Sequence, residues 1–218
     1  MGLFIAFEGP DGSGKTTQIG RLAHHLREAG HDVVLTREPG GTTIGDQVRT
    51  ILHDLHNTDM TAHAEFLLYS ASRAQLVRQL IRPHLQRGGT VVSDRFSDSS
   101  MAYQGYGRQL NLDWVRRITR FATGGLRPNL TIYLDLPVEV GIERKQAAFD
   151  THCGECNRLD RQTIDFYHRV RAGYLSMAYA EPRRWLVIDA MQAVEDTQRA
   201  IWMRLESVLP EMGNAEET

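Results

Sequence analysis

Gly9-Pro10-Asp11-Gly12-Ser13-Gly14-Lys15-Thr16 is the stretch on which the reading of this chain turns. Its spacing is G-x-x-x-x-G-K-[ST]. The apolar run Leu3 to Phe7 before it reads as a buried strand. The periodicity after it predicts a helix from Lys15 to about Ala29, stopped by Gly30. A strand, this loop and a helix form the setting in which the pattern binds phosphate. Glycines let the backbone curl so that successive N–H groups face phosphate oxygens. The helix N-terminus, from Lys15 through Thr16 and Thr17, adds unpaired N–H groups and partial positive charge. Lys15 would reach the β- and γ-phosphates, and the Thr16 hydroxyl would join the shell of a magnesium ion. The expected ligand is a nucleoside triphosphate such as ATP, with Mg2+ as cofactor.

Outward from the loop, short apolar runs alternate with longer amphipathic ones. Val33 to Thr36, Thr90 to Ser93, Leu130 to Leu134 and Trp185 to Ile188 join Leu3 to Phe7 as expected strands. Helices are expected at Ala62 to Leu85, Leu112 to Ala122, Val138 to Ala148, Thr163 to Ala180 and Val194 to Leu209, with a frayed end from Glu211 to Thr218. Such alternation predicts an α/β fold: a five-stranded parallel sheet with helices on both faces. With 218 residues, no repeat and no dividing linker, one domain over residues 1–218 is expected.

Bulk properties narrow the partners. A formal charge of −2 gives no reason to expect nucleic acid or an anionic membrane, and no apolar run could span a bilayer. The N-terminus lacks the basic segment and cleavage site of a secretory signal, and Ala6 breaks a myristoylation pattern. Cys153 and Cys156 are the only cysteines, which fits a reducing cytoplasm. The only lysines are Lys15 and Lys145; arginine carries the other positive charge. A lysine kept in such a chain suggests a need for a compact ammonium.

Phosphate binding alone does not name a reaction. Two arginines follow strand ends: Arg37, in Arg37-Glu38-Pro39-Gly40-Gly41-Thr42, and Arg95, in Asp94-Arg95-Phe96. Open α/β sheets bind ligands beyond the carboxyl ends of their strands. There the arginines could grip a second anion, and Asp94 could serve the metal. Spacing alone leaves open that they pair with Glu38 and Asp94 and merely brace loops.

Taken in order, these segments resemble the thymidylate kinase family of P-loop nucleoside monophosphate kinases. The resemblance rests on Gly9 to Thr17, Thr36-Arg37-Glu38-Pro39-Gly40-Gly41-Thr42, Tyr69-Ser70-Ala71-Ser72-Arg73-Ala74-Gln75 and Asp94-Arg95-Phe96. It continues through Ser100-Met101-Ala102-Tyr103-Gln104-Gly105, Pro128 to Leu136 and Val170 to Leu175. It implies the P-loop NTPase fold, a short lid at about 145–157, a homodimer formed partly through the helix at 62–85, and ATP-dependent conversion of dTMP to dTDP. By the same resemblance Arg37 and Arg95 would hold the acceptor phosphate, and Asp11 the sugar 3′-hydroxyl. Tyr69, where the family usually has phenylalanine, would stack on the base and Arg73 would bond its O4. Residues four apart share a helix face, which supports that pair independently. Ser100 and Gln104 would lie near the base, and Tyr103 would crowd the 2′ position.

Phosphoryl transfer to an anionic acceptor needs alignment and charge neutralisation rather than a strong base. Some family members carry an arginine inside the phosphate loop; Gly12 and Ser13 offer none. The lid would then supply the cation. Family lids carry several arginines after the one matching Arg144, but here Lys145, Gln146, Ala147, Ala148 and Phe149 follow. Arg144, Lys145, Arg158 and Arg161 remain, with Arg158 the expected catalytic helper and Arg144 placed at the ATP adenine. Cys153 and Cys156 read as plain thiols, zinc or a redox pair being sharper options. His53 and His56 read as a solvated helix end. The competing functions are a kinase for another deoxynucleotide and a nucleotide-binding module weakened by its lid. A GTP-driven switch fails, because neither lysine stands in an Asn-Lys-x-Asp motif.

Overall fold

The computed structural model describes residues 2–150 and 158–213. Strand β1 (Leu3–Glu8) is buried along its whole length and sits at the centre of the sheet. Around it lie β2 (Val33–Arg37), β3 (Thr90–Asp94), β4 (Leu130–Asp135) and β5 (Trp185–Asp189), all parallel, in the order β2-β3-β1-β4-β5. The side-chain period of two divides β1 between the faces. Leu3, Ile5 and Phe7 pack with α1 (Lys15–Glu28) and α9 (Val194–Gly213). Phe4 and Ala6 pack on the other face with the helical rod that starts as α3 (Ala62–Leu76). Phe4, Ile5 and Phe7 are at most 1% exposed, which contributes roughly 1.5–3 kcal/mol apiece and makes this strand a firm floor for the site.

Each expected strand extends one residue further than its apolar run, and each added residue is ionisable: Glu8, Arg37, Asp94, Asp135 and Asp189. The register sets Phe7 and Arg37 beside Asp94, and Asp135 beside Asp189. Charged groups therefore line the carboxyl edge of the sheet.

The helix expected over 62–85 is a composite. α3 passes through a π-helical turn, Val77–Ile81, into α4 (Arg82–Gln86). α2 (Thr43–His53), whose span is not among the expected helices although His53 and His56 read as a helix end, follows β2 and ends at His53. Another unanticipated helical stretch, α5 (Ser97–Ser100) with a π-helical continuation Met101–Gly107, follows β3. α6 (Leu112–Thr123), α7 (Val138–Asp150) and α8 (Ile164–Ala180) match their expected positions within two residues at each end. α9 runs to Gly213 rather than fraying from Glu211. No helix among the described residues is long and apolar enough to cross a membrane. Cys153, Cys156 and most of the expected lid lie outside the described residues.

Candidate active site

The loop between β1 and α1 has the backbone that its glycines predict. Gly9, Gly12 and Gly14 have φ values of 143°, 80° and 88°. A Cβ on Gly9 would stand 2.7 Å from the Leu134 carbonyl oxygen. α2, α3 and α8 are capped by Thr42, Thr61 and Thr163, and α6 by Asn111. α1, with Gly14 at its N-cap, has no side-chain cap and no acid in its first turn, an arrangement suited to an anion. Lys15 folds over the loop, its Nζ donating to the Gly9 and Pro10 carbonyls at 3.1 and 2.9 Å. Burial, then Arg95 nearby, holds the Lys15 ammonium below its ordinary pKa. Thr16 lies on the cleft wall, whereas Thr17 is exposed in the same turn and outside the lining.

A cleft of about 860 Å³ opens over the loop and the strand ends. Arg95 enters it from the end of β3 with φ 67°, a left-handed conformation uncommon for arginine. Its Nη2 donates to Asp11 Oδ1 at 3.0 Å, and its guanidinium carbon lies 5.2 Å from the Tyr103 ring centre. Arg37 stands at the rim, 3.5 Å from Asp46. Neither arginine pairs with Glu38 or Asp94 as a pure brace would. Three cations converge on Asp11: Arg95, Lys145 and, at 4.0 Å, Lys15. Burial pushes the Asp11 carboxyl up, but these charges outweigh it and hold it well below the usual range.

Asp94 and Thr16 both line the cleft, and Asp94 Oδ1 is buried without a hydrogen-bond partner. A spare carboxylate oxygen and a hydroxyl beside a phosphate loop are hard donors that fit Mg2+. No cluster of three or more His, Cys, Asp or Glu suited to a metal occurs among the described residues. His56 is bonded to Asp54 rather than poised for one.

Tyr69, Arg73, Ser100, Tyr103 and Gln104 share the far wall of the cleft. Arg73 is 1% exposed and ion-paired with Glu38, its Nε donating to Oε2 at 2.8 Å and Nη2 lying 2.6 Å from it. Nη2 also donates to Ser100 Oγ at 3.0 Å, while Nη1 and Glu38 Oε1 have no partner. Gln104 donates to Glu65 at 2.9 Å. On the opposite side, Arg144 Nη1 donates to the Gly12 and Ala190 carbonyls at 3.2 and 3.4 Å.

The lid cations are arranged differently from expectation. Arg158 is buried against Glu65 and absent from the cleft lining. The physical reason is Glu65, a fully buried carboxylate that also takes bonds from Arg108 and Gln104. Burial pushes Glu65 up, but its bonds to Arg108, Gln104 and Arg158 win and lower its pKa. Lys145 reaches the loop instead, donating to Asp11 Oδ2 at 2.6 Å and bonding Asp160.

The sequence gives no role to Glu8 or Glu65, and weighs Glu38 as a partner of Arg37 or Arg95 rather than of Arg73, which it meets in the structure. Glu65 was signalled by spacing, since it lies four residues before Tyr69 on the same helix face.

A family model described as Thymidylate kinase matches residues 7–201. The chain belongs to the thymidylate kinase family. The activity of that family is phosphorylation of dTMP, and this chain is an enzyme of that kind. A protein of Deinococcus radiodurans named thymidylate kinase is 50% identical over 202 residues, covering 93% of this chain and 95% of the relative. One of Geobacter sulfurreducens with the same name is 50% identical, covering 92% and 95%. A crystal structure of thymidylate kinase from Ehrlichia chaffeensis superposes with a TM-score of 0.75 at 31% identity, covering 94% of this chain and 98% of that one.

Proposed function

We propose that the cleft transfers the γ-phosphoryl of MgATP directly to the phosphate of dTMP. The observation that carries this reading is the 3.0 Å contact of Arg95 with Asp11, which joins an acceptor cation to the donor loop. Gly9, Pro10, Gly12, Ser13, Gly14, Thr16 and Thr17 would cradle ATP phosphates, with Arg144 beside the adenine. Mg2+, held near Thr16 and Asp94, would neutralise phosphate charge. Arg37 and Arg95 would grip the acceptor phosphate and Asp11 the sugar. Tyr69, Arg73, Ser100 and Gln104 would read the base, with Arg73 Nη1 the donor still free for O4. Tyr103 would exclude a 2′-hydroxyl.

Lys15 and Lys145, the two lysines of the chain, flank Asp11. Lys145 takes over the lid-cation role expected of Arg158. The chain would act as a single domain and as a cytoplasmic homodimer. Leu67 on α3 and Trp114 and Phe121 on α6 support the dimer, being 54%, 63% and 89% exposed on helices that pack together. A coupled ADP-release assay across dTMP, dUMP, dCMP and thymidine tests the reading. Fastest turnover is expected with dTMP; no turnover above the ATP-only background would sink it.

A further inference from the structure

Glu8 stands immediately before the phosphate loop, yet it points away from the loop's ligand side. The alternation of β1 places it on the face of Phe4 and Ala6. It is 0% exposed and is not among the residues lining the cleft. A carboxylate so placed cannot touch either nucleotide. Its oxygens instead collect donors from two other segments. Oε1 accepts from the Phe96 and Ser99 backbone N–H groups at 3.0 and 3.2 Å. Oε2 accepts from the Ser99 hydroxyl at 2.6 Å and the Tyr174 hydroxyl at 2.7 Å. A carboxylate is the side chain able to accept at both oxygens from four donors.

Immediately before the first of these donors stands Arg95. Its own N–H donates to the Phe7 carbonyl at 2.8 Å, and the next N–H, that of Phe96, goes to Glu8. Two consecutive residues of β1 thus clamp two consecutive amides of the turn. The clamped turn holds Arg95 at φ 67°, from which its guanidinium reaches Asp11. Without the Glu8 acceptor, a buried N–H would lose its partner, and the left-handed turn would be held only by Arg95 N–H on the Phe7 carbonyl and the Ser93 hydroxyl on the Arg95 carbonyl.

We propose that Glu8 is a positioning residue that fixes the Asp94–Ser99 turn, so that Arg95 is presented to the phosphate of the acceptor nucleotide. The proposal rests on the dTMP reading of the cleft and adds a residue that acts through Arg95 without touching substrate. It concerns chiefly the phosphate end. Recognition of the nucleoside is built on Tyr69 and Arg73 from α3, and Arg73 meets the turn through the Phe96 carbonyl and Ser100 Oγ, so it should depend on Glu8 far less.

The test is the ratio of affinities for dTMP and thymidine, measured by titration calorimetry on the full chain, with steady-state KM values alongside. Glu8→Ala should weaken dTMP at least tenfold and leave thymidine and the KM for ATP within twofold. Glu8→Gln keeps an oxygen for the two amides, so it should recover most of the dTMP affinity. Equal weakening of dTMP and thymidine, or no change in either, would overturn the proposal. If Glu8→Ala does not fold, Tyr174→Phe and Glu8→Gln decide through the same ratio. A folded Glu8→Gln or Tyr174→Phe whose dTMP and thymidine affinities fall together would also overturn it. Wild-type turnover with dTMP tests the underlying reading separately.

Discussion

Replacing Lys145 with methionine keeps the aliphatic stem and removes the charge nearest the phosphate loop from the lid side. Lys145 Nζ is 2.6 Å from Asp11 Oδ2, with a side chain 23% exposed, so it acts where solvent screening is incomplete. A unit charge about 4 Å from a phosphoryl oxygen is worth about 4 kcal/mol at an effective dielectric constant near 20. Bound ATP shares part of that attraction before transfer begins, which leaves roughly 2–3 kcal/mol for the transition state. At about 1.4 kcal/mol per tenfold, Lys145→Met should lower kcat by about 30- to 150-fold. Lys145→Arg should recover part of the loss. Arg158→Met, which removes a partner of buried Glu65, should lower stability while kcat falls by less than about fivefold. Initial rates at saturating ATP and dTMP, with denaturant titrations beside them, separate the two. A Lys145→Met enzyme within threefold of wild type, alongside a larger kcat loss in Arg158→Met, would refute the assignment.

Other consequences follow from the same contacts. Arg73→Met strands the buried Glu38 carboxylate and should cost about 3–5 kcal/mol in urea unfolding, with weaker thymidine binding as a second readout. Glu65 has a depressed folded pKa, so its stabilisation is present above the ordinary 4.5 and lost as pH falls through the folded value. The stability gap between wild type and Glu65→Gln should therefore be wide at pH 7 and shrink below about pH 4.5, as acid titrations would show. Chelating Mg2+ should abolish turnover, and Asp94→Asn should raise the Mg2+ needed for half-maximal rate by about tenfold or more. Leu67→Asp combined with Phe121→Asp should convert a dimer into a monomer in light scattering; a monomeric wild type would remove the dimer reading.

The parallel sheet was legible because its strands are short apolar runs, of which the central β1, β3 and β4 are buried along almost their whole length. Hydropathy stopped each strand one residue early, at Glu8, Arg37, Asp94, Asp135 or Asp189, although backbone pairing is indifferent to side-chain charge. α2 was missed because its core-facing signal is thin. It buries Gly45 and Leu52 but leaves Ile44 and Ile51 exposed, so its apolar residues do not mark a core stripe. The glycine-rich loop, Arg37, Arg95 and the Tyr69–Arg73 pair stood in the sequence, and the structure brings them to one cleft. Which lid cation meets the loop was not legible there, because Arg158 is claimed by Glu65, a residue distant in sequence. Buried charges choose partners by proximity in the fold, and periodicity does not report that.

In the proposed reaction the γ-phosphoryl passes directly between two nucleotides held in one cleft. Incubating the protein with Mg2+, dTMP and ATP labelled on the γ-phosphorus, then resolving the products, tests it most directly. The label is expected at the terminal phosphate of dTDP in step with ADP release. Label recovered only as inorganic phosphate, with dTMP unchanged, would contradict it.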